Sequence, residues 1–444
     1  MYKTYFLTYD FHVHQGDKPM NYCQMSKDDL AALQKELCSS YDKILEKKLS
    51  LDMSRGKPEK QQLGITEDLL KSVSSNADCY TEDGTDCRNY GIVDGIPEAK
   101  KLFADLLEVG TENVIVGGNS SLNLMYDQMV RCMLYGVSKD SAPWCRNGKN
   151  IFLCPVPGYD RHFCICETLG IEMINVPMTD NGPDMDVVEE LVKNPDVRGI
   201  WCVPKYSNPD GCVYSDETVR RLASLAPASS DFRIFWDNAY CIHDLYDESQ
   251  PLLNIIHECA KAGNPDMVYE FTSTSKVSYP GAGVSVIASS KANIDYIRSI
   301  MQFQTIGHDK LNMLRHVKFF KDADGMRAYM KKHADILRPK FEAVLEMLEK
   351  ELSSCGIATW SNPRGGYFIS LDVLSGCAKR TVELCSGAGV KLTGAGATFP
   401  YGVDPEDKNI RIAPSFPPVS DLLSAMEVLC VCVKLAAVEK LLSK

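Results

Sequence analysis

The central part of this chain alternates short apolar runs with segments of helical character, and no other feature constrains the fold as strongly. The apolar runs cover residues 114–116, 150–154, 199–203, 234–236, 267–269 and 284–288. Short strands separated by helices are typical of βαβ units, which build a mainly parallel sheet with helices on its faces. The sequence therefore predicts an α/β fold with one large domain of this kind.

Helical patterns flank this region on both sides. Residues 26–49 carry apolar side chains at a spacing near 3.6, with Ser26 and Asp29 placed as a capping box. A long amphipathic pattern at 322–352 leads to predicted strands at 366–371 and 409–413 and a terminal helix at 419–442. We expect an N-terminal arm with part of a small α+β domain at 1–80, a large domain at 81–325 and the rest of the small domain at 326–444.

The charge balance excludes several classes of partner. The 444 residues include 59 acidic and 48 basic side chains, which gives a net charge of −11. Nucleic acids and membrane surfaces call for a basic footprint, so we predict neither as a partner. The 18 cysteines are scattered without a Cys-x-x-Cys pair, as expected for reduced thiols in the cytoplasm.

The first twenty residues lack the basic start and continuous apolar segment of a secretory signal. No run in the chain reaches the eighteen or so apolar residues that span a bilayer. His12-x-His14 has no carboxylate or cysteine cluster beside it, so we interpret it as part of an exposed tail and predict no metal site. These features predict a soluble, intracellular protein.

A lysine in a hydroxyl-rich segment is the strongest candidate for chemistry. Lys276 ends the run Thr-Ser-Thr-Ser-Lys directly after one predicted strand, and Asp237 ends another. Pyridoxal 5'-phosphate requires an amine for its aldehyde, an acid for its ring nitrogen and donors for its phosphate. A solvated lysine at a strand end is the alternative for Lys276 alone. The aspartate and the upstream Asn208-Pro209-Asp210-Gly211 segment favour the cofactor site.

A second motif is Gly117-Gly118-Asn119-Ser120, which follows the predicted strand at 114–116 and precedes a helix ending near Met133. Main-chain N–H groups at such a helix start can bind a phosphate, aided by the serine hydroxyl. An ordinary capped helix remains the alternative. The segment is no Walker loop, because no Gly-Lys-Ser/Thr follows it.

The order of these motifs resembles the fold-type I pyridoxal phosphate aminotransferases of the class I/II superfamily, from about Leu51 to the C-terminus. The strings Met53-Ser54-Arg55-Gly56-Lys57-Pro58 and 117–125 are further similar to its type Ic, aspartate aminotransferase-like branch. The motifs that carry the resemblance are Asn89-Tyr90-Gly91, Gly95-Ile96-Pro97-Glu98, Gly117-Gly118-Asn119-Ser120, Pro157-Gly158-Tyr159, Asn208-Pro209-Asp210-Gly211, Asp237-x-x-Tyr240, Ser273-x-x-Lys276 and Arg411.

The resemblance implies a role for each matched residue. Lys276 is expected to bind the cofactor aldehyde and to move the substrate proton, and Asp237 to pair with the ring nitrogen. Asn208 and Tyr240 are expected to hydrogen-bond the ring hydroxyl, and Tyr159 to stack on the ring. The phosphate is expected to contact Gly118, Asn119, Ser120 and Ser273, and also Tyr90 from the second subunit of a homodimer. Arg411 is expected to bind the substrate α-carboxylate. Arg55, Gly56 and Asn208 are further expected contacts of the substrate.

One position departs from the family pattern. Many relatives place an arginine eight residues after the lysine, to neutralise the cofactor phosphate, whereas this chain has Val284 there. The phosphate must therefore find another cation or be held by neutral donors.

The resemblance implies aspartate:2-oxoglutarate transamination by a ping-pong mechanism, and the cations Arg55 and Lys57 favour an acidic substrate. Residues 304–310 are a further candidate contribution from the neighbouring subunit. Transamination of alanine, aromatic residues or 2-aminoadipate and a β-lyase reaction remain alternatives. A non-catalytic regulator that binds the cofactor is the remote one, because the first fifty residues are too short for the winged helix of such proteins.

Overall fold

The computed structural model describes residues 21–443. The predicted N-terminal tail with His12-x-His14 lies outside the described residues, as does Lys444. Within residues 21–443, no helix is long and apolar enough to cross a membrane, and no cluster of three or more His, Cys, Asp or Glu side chains is arranged to hold a metal.

Helices and strands are numbered in chain order. The helices are α1 (Lys27–Glu46), α2 (Lys60–Gly64), α3 (Glu67–Lys71), α4 (Pro97–Leu107), α5 (Ser121–Tyr135), α6 (Asp160–Thr168), α7 (Met185–Leu191), α8 (Asp216–Ala223), α9 (Ile255–Lys261), α10 (Lys291–Met301), α11 (Lys310–Phe320), α12 (Ala323–Leu352), α13 (Ala378–Gly387) and α14 (Val419–Leu442). The strands are β1 (Leu51–Asp52), β2 (Val114–Val116), β3 (Ile151–Val156), β4 (Glu172–Thr179), β5 (Gly182–Pro183), β6 (Val197–Cys202), β7 (Arg233–Asp237), β8 (Val268–Ser273), β9 (Ser285–Ala288), β10 (Ala358–Trp360), β11 (Ile369–Val373), β12 (Val390–Lys391) and β13 (Asn409–Ile412).

The large sheet has the order β2-β9-β8-β7-β6-β3-β4-β5. Its inner pairs β8/β7, β7/β6, β6/β3 and β3/β4 are parallel, and the pairs involving β9 and β5 are antiparallel. All six predicted runs form strands of this sheet, so the prediction of a mainly parallel α/β sheet is confirmed. Strands β4 and β5 were not predicted from the sequence, because β4 has only two buried residues, Met173 and Val176, at a spacing of three, and includes Pro177.

Both faces of this sheet are buried, which explains the continuous apolar runs. One face packs Phe152, Trp201 and Phe235 against side chains of α5, including Met125 and Met129. The opposite face packs against α4, α8 and α9. The functional residues that follow β7 and β8 are therefore held by strands in the middle of a layered core.

A second, smaller core surrounds the antiparallel sheet β10-β11-β13. Helices α1, α13 and α14 pack around it, and β1 pairs with β12, so the N-terminal arm joins the C-terminal part. Helix α12 spans both cores, with Met326 and Met330 in the first and Leu337 and Phe341 in the second. This agrees with the predicted connecting helix, while the domain division at 80/81 and 325/326 stays a prediction.

Candidate active site

The candidate site lies where the central parallel strands end, which is the usual position of ligand sites in open α/β sheets. Strand β7 ends at Asp237, and the neighbouring β8 is followed by the turn Thr274–Lys276. A cavity of about 420 Å³ opens beside them. Among the predicted site residues, those that line it are Arg55, Gly56, Tyr159, Asn208, Tyr240, Lys276 and Arg411.

Lys276 projects its amine over an aromatic ring. The Nζ atom lies 4.7 Å from the centroid of the Tyr240 ring. Burial lowers the pKa of Lys276, and the charge of Arg411 lowers it further, while Asp237 opposes the shift. A lowered pKa increases the uncharged fraction of the amine, which is the form that attacks a carbonyl group.

Asp237 presents one oxygen to a histidine and leaves the other free. Its Oδ2 atom lies 3.0 Å from His162 Nε2, and its Oδ1 atom is buried without a hydrogen-bond partner among residues 21–443. The His162 ring stacks on Trp201 at a centroid distance of 4.3 Å, which fixes the ring orientation. The arrangement holds a buried carboxylate with a vacant acceptor atom.

His162 was missed by the sequence analysis. It lies in the first turn of α6, three residues after Tyr159, and the centroids of the two rings are 5.0 Å apart. The only local signal is this spacing, because its partner Asp237 is 75 positions away.

Arg411 is buried and oriented by three polar neighbours. Its Nη1 atom donates to Asp160 Oδ1 at 2.9 Å and to Asn208 Oδ1 at 3.3 Å, and its Nη2 atom donates to Thr393 Oγ1 at 3.3 Å. The guanidinium carbon lies 4.9 Å from the centroid of the Phe368 ring. The planar group is therefore placed in advance for two-pronged contact with a carboxylate. Arg411 and Asn208 were predicted from the sequence, whereas Asp160 and Thr393 were not.

The predicted phosphate-binding residues meet at the start of α5. Ser120 caps this helix by accepting from the amide of Leu122 at 3.2 Å. Ser273 Oγ donates to Ser275 Oγ at 3.1 Å, and Ser275 Oγ donates to the carbonyl of Asn119 at 3.0 Å. The structure thus brings Gly118, Asn119, Ser120 and Ser273 into one region beside the lysine turn, where N–H and O–H groups suit an anion.

Neither Tyr90 nor Val284 lines this cavity. Tyr90 is 83% exposed, and the carbonyl of the next residue, Gly91, accepts from Lys310 Nζ at 2.9 Å. Val284 is buried, and its amide donates to Thr274 Oγ1 at 2.9 Å. Position 284 therefore supports the lysine turn through its main chain and supplies no cation.

Three exposed cations stand around the cavity entrance: Arg55, Arg161 and Lys391. Within the described part of the chain, none of them has a carboxylate oxygen within 4 Å, whereas the lining carboxylate of Asp160 pairs with Arg411. The cavity is thus locally cationic in a chain of net charge −11. Arg161 and Lys391 were not predicted from the sequence.

Comparison with known proteins gives consistent matches. The family model described as aspartate amino-transferase matches residues 25–444. An aspartate aminotransferase of Corynebacterium glutamicum is 47% identical over 399 residues, covering 90% of this chain and 92% of that protein. The crystal structure of an aspartate transaminase from the same organism superposes with a TM-score of 0.93 at 44% identity, covering 96% of this chain and all of that one. An α-aminoadipate aminotransferase of Thermus thermophilus, at 18% identity and a TM-score of 0.71, shares the fold.

Proposed function

The chain belongs to the aspartate aminotransferase family and is a pyridoxal phosphate-dependent aminotransferase, and we propose that it transfers the amino group of L-aspartate to 2-oxoglutarate in a ping-pong reaction. The observation that carries the choice of substrate is the set of cations around the cavity: Arg411 inside it, and Arg55, Arg161 and Lys391 at its entrance. Aspartate, glutamate and their oxo acids each carry two carboxylates, which require two separate cationic contacts.

The residues of the cavity fit the cofactor. The unpartnered Asp237 Oδ1 suits a protonated ring nitrogen, the Lys276 amine suits an aldehyde, and the start of α5 suits a phosphate. When bound, pyridoxal phosphate supplies that aldehyde and a ring that withdraws electrons from the substrate α-carbon. In the proposed division of the chain, these groups belong to the cofactor-binding domain at 81–325.

We assign the proton chemistry to Lys276 and Asp237. Lys276 Nζ, once uncharged, would move the proton from the α-carbon of the amino acid to the aldehyde carbon of the cofactor, and would move a proton in the opposite direction when the 2-oxo acid is aminated. Asp237 Oδ1 would keep a proton on the ring nitrogen of the bound cofactor, and His162 holds the carboxylate in place from its other oxygen. Asn208 and Tyr240 donate to the ring hydroxyl.

The remaining assignments concern binding. Tyr159 stacks on the ring, and the phosphate contacts are Gly118, Asn119, Ser120 and Ser273. Arg411 binds the α-carboxylate, for which its pairing with Asp160 and Asn208 provides a fixed orientation. Arg55 and Gly56 cover the substrate; a Cβ atom at Gly56 would lie 2.5 Å from the Phe368 ring, so the loop approaches this wall closely.

We further propose a cytoplasmic homodimer with shared active sites. Exposed apolar side chains support it: Tyr90, Phe303 and Ile306 are 83%, 87% and 62% exposed, and the loops that carry them are adjacent. In such a dimer Tyr90 reaches the phosphate site of the partner subunit. Light scattering of the purified protein measures the mass, and a monomer that is fully active would overturn this part of the proposal.

The substrate assignment is tested by the visible spectrum of the purified protein with bound cofactor. L-aspartate, L-alanine and L-tyrosine are added separately, followed by 2-oxoglutarate. We expect aspartate to convert the absorbance of the bound aldehyde form to that of the amino form, and 2-oxoglutarate to restore it. Conversion by alanine or tyrosine but not aspartate would assign a different amino donor, and the lack of any cofactor band would overturn the site.

A further inference from the structure

A buried glutamine connects the N-terminal arm to buried side chains of the C-terminal part. Gln62 in α2 is 0% exposed. Its Nε2 atom donates to Tyr367 Oη at 3.2 Å and to His333 Nδ1 at 3.1 Å, and its Oε1 atom accepts from the amide of Glu59 at 3.1 Å. Both N–H donors of this amide are therefore used inside the protein, at contacts 271 and 305 positions away in the chain.

Tyr367 continues the connection to the lysine. Its hydroxyl lies 3.3 Å from the carbonyl oxygen of Lys276, and the side chain is fully buried. A tyrosine hydroxyl has one proton, and a carbonyl only accepts, so Tyr367 donates to Lys276 and accepts from Gln62. The direction of both hydrogen bonds is therefore fixed, from the N-terminal arm to the main chain of Lys276.

His333 holds the glutamine from its other side. The amide of Gln62 donates to Nδ1, so the neutral ring carries its proton on Nε2. Burial lowers the pKa of His333 to about 4, which keeps the ring neutral and its Nδ1 lone pair available at neutral pH. The glutamine orientation is thus set by two acceptors, Tyr367 and His333.

The same short segment is attached to the C-terminal part just before Gln62. Glu59 forms an ion pair with the buried Lys340 at 3.0 Å. Lys340 Nζ also donates to the carbonyl of Ser415 at 3.0 Å, and Ser415 Oγ donates to the carbonyl of Lys57 at 3.2 Å. The loop at Arg55, which lines the cavity entrance, is therefore followed directly by residues fixed to the protein interior.

We propose that Gln62 and Tyr367 are positioning residues that couple the substrate-covering loop at Arg55 to the main chain of Lys276. The Gln62–Tyr367–Lys276 bridge keeps the lysine amine and the loop in a fixed relation while both contact the same substrate. The role in catalysis rests on the proposed function, whereas the mechanical coupling does not. Small displacements of reacting groups cost large factors in rate, so the bridge is expected to affect turnover although neither residue lines the cavity.

The test compares two tyrosines in the protein with bound cofactor. Tyr367→Phe deletes only the hydroxyl of the bridge. Tyr41→Phe is the matched control, because the Tyr41 hydroxyl also donates to a main-chain carbonyl, that of Leu384 at 2.8 Å, in the C-terminal part away from the cavity. Hydrogen exchange by mass spectrometry follows residues 55–64 and 274–278, neither of which is altered by the substitution.

We expect Tyr367→Phe to accelerate exchange in both segments by about fivefold, as the loss of one buried hydrogen bond predicts, and Tyr41→Phe to accelerate neither. Tyr367→Phe is also expected to shift the pH midpoint of the cofactor absorbance and to lower kcat by about tenfold. Gln62→Met, which keeps the volume, should reproduce these changes, and the double variant should be no worse than the more severe single one.

Unchanged exchange at 55–64 in Tyr367→Phe, together with unchanged exchange at 274–278 in Gln62→Met, would overturn the coupling, as would effects that add in the double variant. Hydrogen exchange is measured in the absence of turnover, so these outcomes test the coupling even if aspartate proves not to be the substrate. Should Gln62→Met fail to fold, Tyr367→Phe decides the question alone.

Discussion

The floor and the rim of the cavity are built in different ways. The floor, which we define as the lining residues Tyr240, Asn208 and Lys276 together with the buried Asp237, lies at the ends of central strands and in the turns that follow them. The rim, which we define as Arg55, Arg161 and Lys391, consists of exposed side chains that form no ion pairs within residues 21–443. The floor is therefore fixed by the surrounding structure, whereas the rim cations remain hydrated until a substrate arrives.

This difference determines what each region can contribute. Charges and dipoles in a buried, water-poor site interact strongly and need no reorganisation during the reaction. Exposed ion pairs are screened by water and contribute about 0–1 kcal/mol. We expect the floor to control kcat and the rim to control KM and the choice of amino acid.

Lys276→Ala should produce the largest effect, because it removes both the attachment of the cofactor and the base for the α-proton. We expect the rate to fall by at least about 10⁴-fold, the upper range for loss of a proton-transfer group. Borohydride reduction followed by peptide mass spectrometry should label Lys276 in the native protein and no lysine in the variant. Lys391→Ala, a change at a rim lysine, serves as the control and should keep the label.

Asp237→Asn keeps the shape of the side chain and removes its charge. We expect kcat to fall by about 10²–10³-fold, as for loss of a preorganised electrostatic contact, with little change in KM. Rapid-mixing measurements of the aspartate half-reaction would check this. A change in KM alone would contradict the separation of floor and rim.

A decrease in pH should destabilise the structure that supports the floor before it affects the rim. His316 lies beneath the lysine turn, where Nδ1 donates to the carbonyl of Asn312 at 2.8 Å and Nε2 accepts from Ser278 Oγ at 2.8 Å. Burial lowers the pKa of His316 to about 4. An unfolded histidine titrates near 6.5, so between these values the unfolded chain binds more protons than the folded one.

The free energy of unfolding should therefore fall as the pH decreases from about 6.5 to about 4, by at most about 3 kcal/mol from this group. Denaturant titrations across this range measure the slope. His316→Gln should reduce the slope by the share of this one group, because the buried His333 also has a pKa near 4 and keeps its own contribution, whereas His257→Gln, on the exposed side of α9, should leave the slope unchanged. An unchanged slope in His316→Gln would show that this ring does not stay neutral in the folded protein.

The floor could be predicted from the sequence because its residues follow recognisable strands in a recognisable order. Asp237 and Lys276 each end or closely follow an apolar run, and parallel strands place such residues at one sheet edge. The rim could not be predicted in the same way. Arg161 lies in the first turn of a helix and Lys391 ends a two-residue strand, and only the packing of the small core against the large sheet brings them to one cavity.

The Gln62–Tyr367–Lys276 bridge was hidden for the same reason. Nothing in the local sequence of α2 distinguishes a buried glutamine with three hydrogen-bond partners from one on a solvated helix face. Tyr367 falls within the strand predicted at 366–371, but the strand in the structure begins only at Ile369, and the partner of the Tyr367 hydroxyl depends on where the lysine turn lies in space. Contacts between distant segments are set by tertiary packing, so their chemistry cannot be obtained from spacing alone.

Arg161→Gln and Lys391→Gln should have the smallest effects and test the rim directly. A hydrogen bond to a charged group contributes about 1.5–3 kcal/mol, less when water competes, so we expect KM for aspartate to rise by about tenfold in either variant. The KM for alanine should change little, because alanine lacks the second carboxylate, and kcat should stay within about twofold because the floor is untouched. The matched control is Lys379→Gln, which changes an exposed lysine on α13. Equal increases for aspartate and alanine would mean that these cations act on the α-carboxylate or on general attraction of anions, and the distal carboxylate would then have to be bound by Arg55 or by the partner subunit.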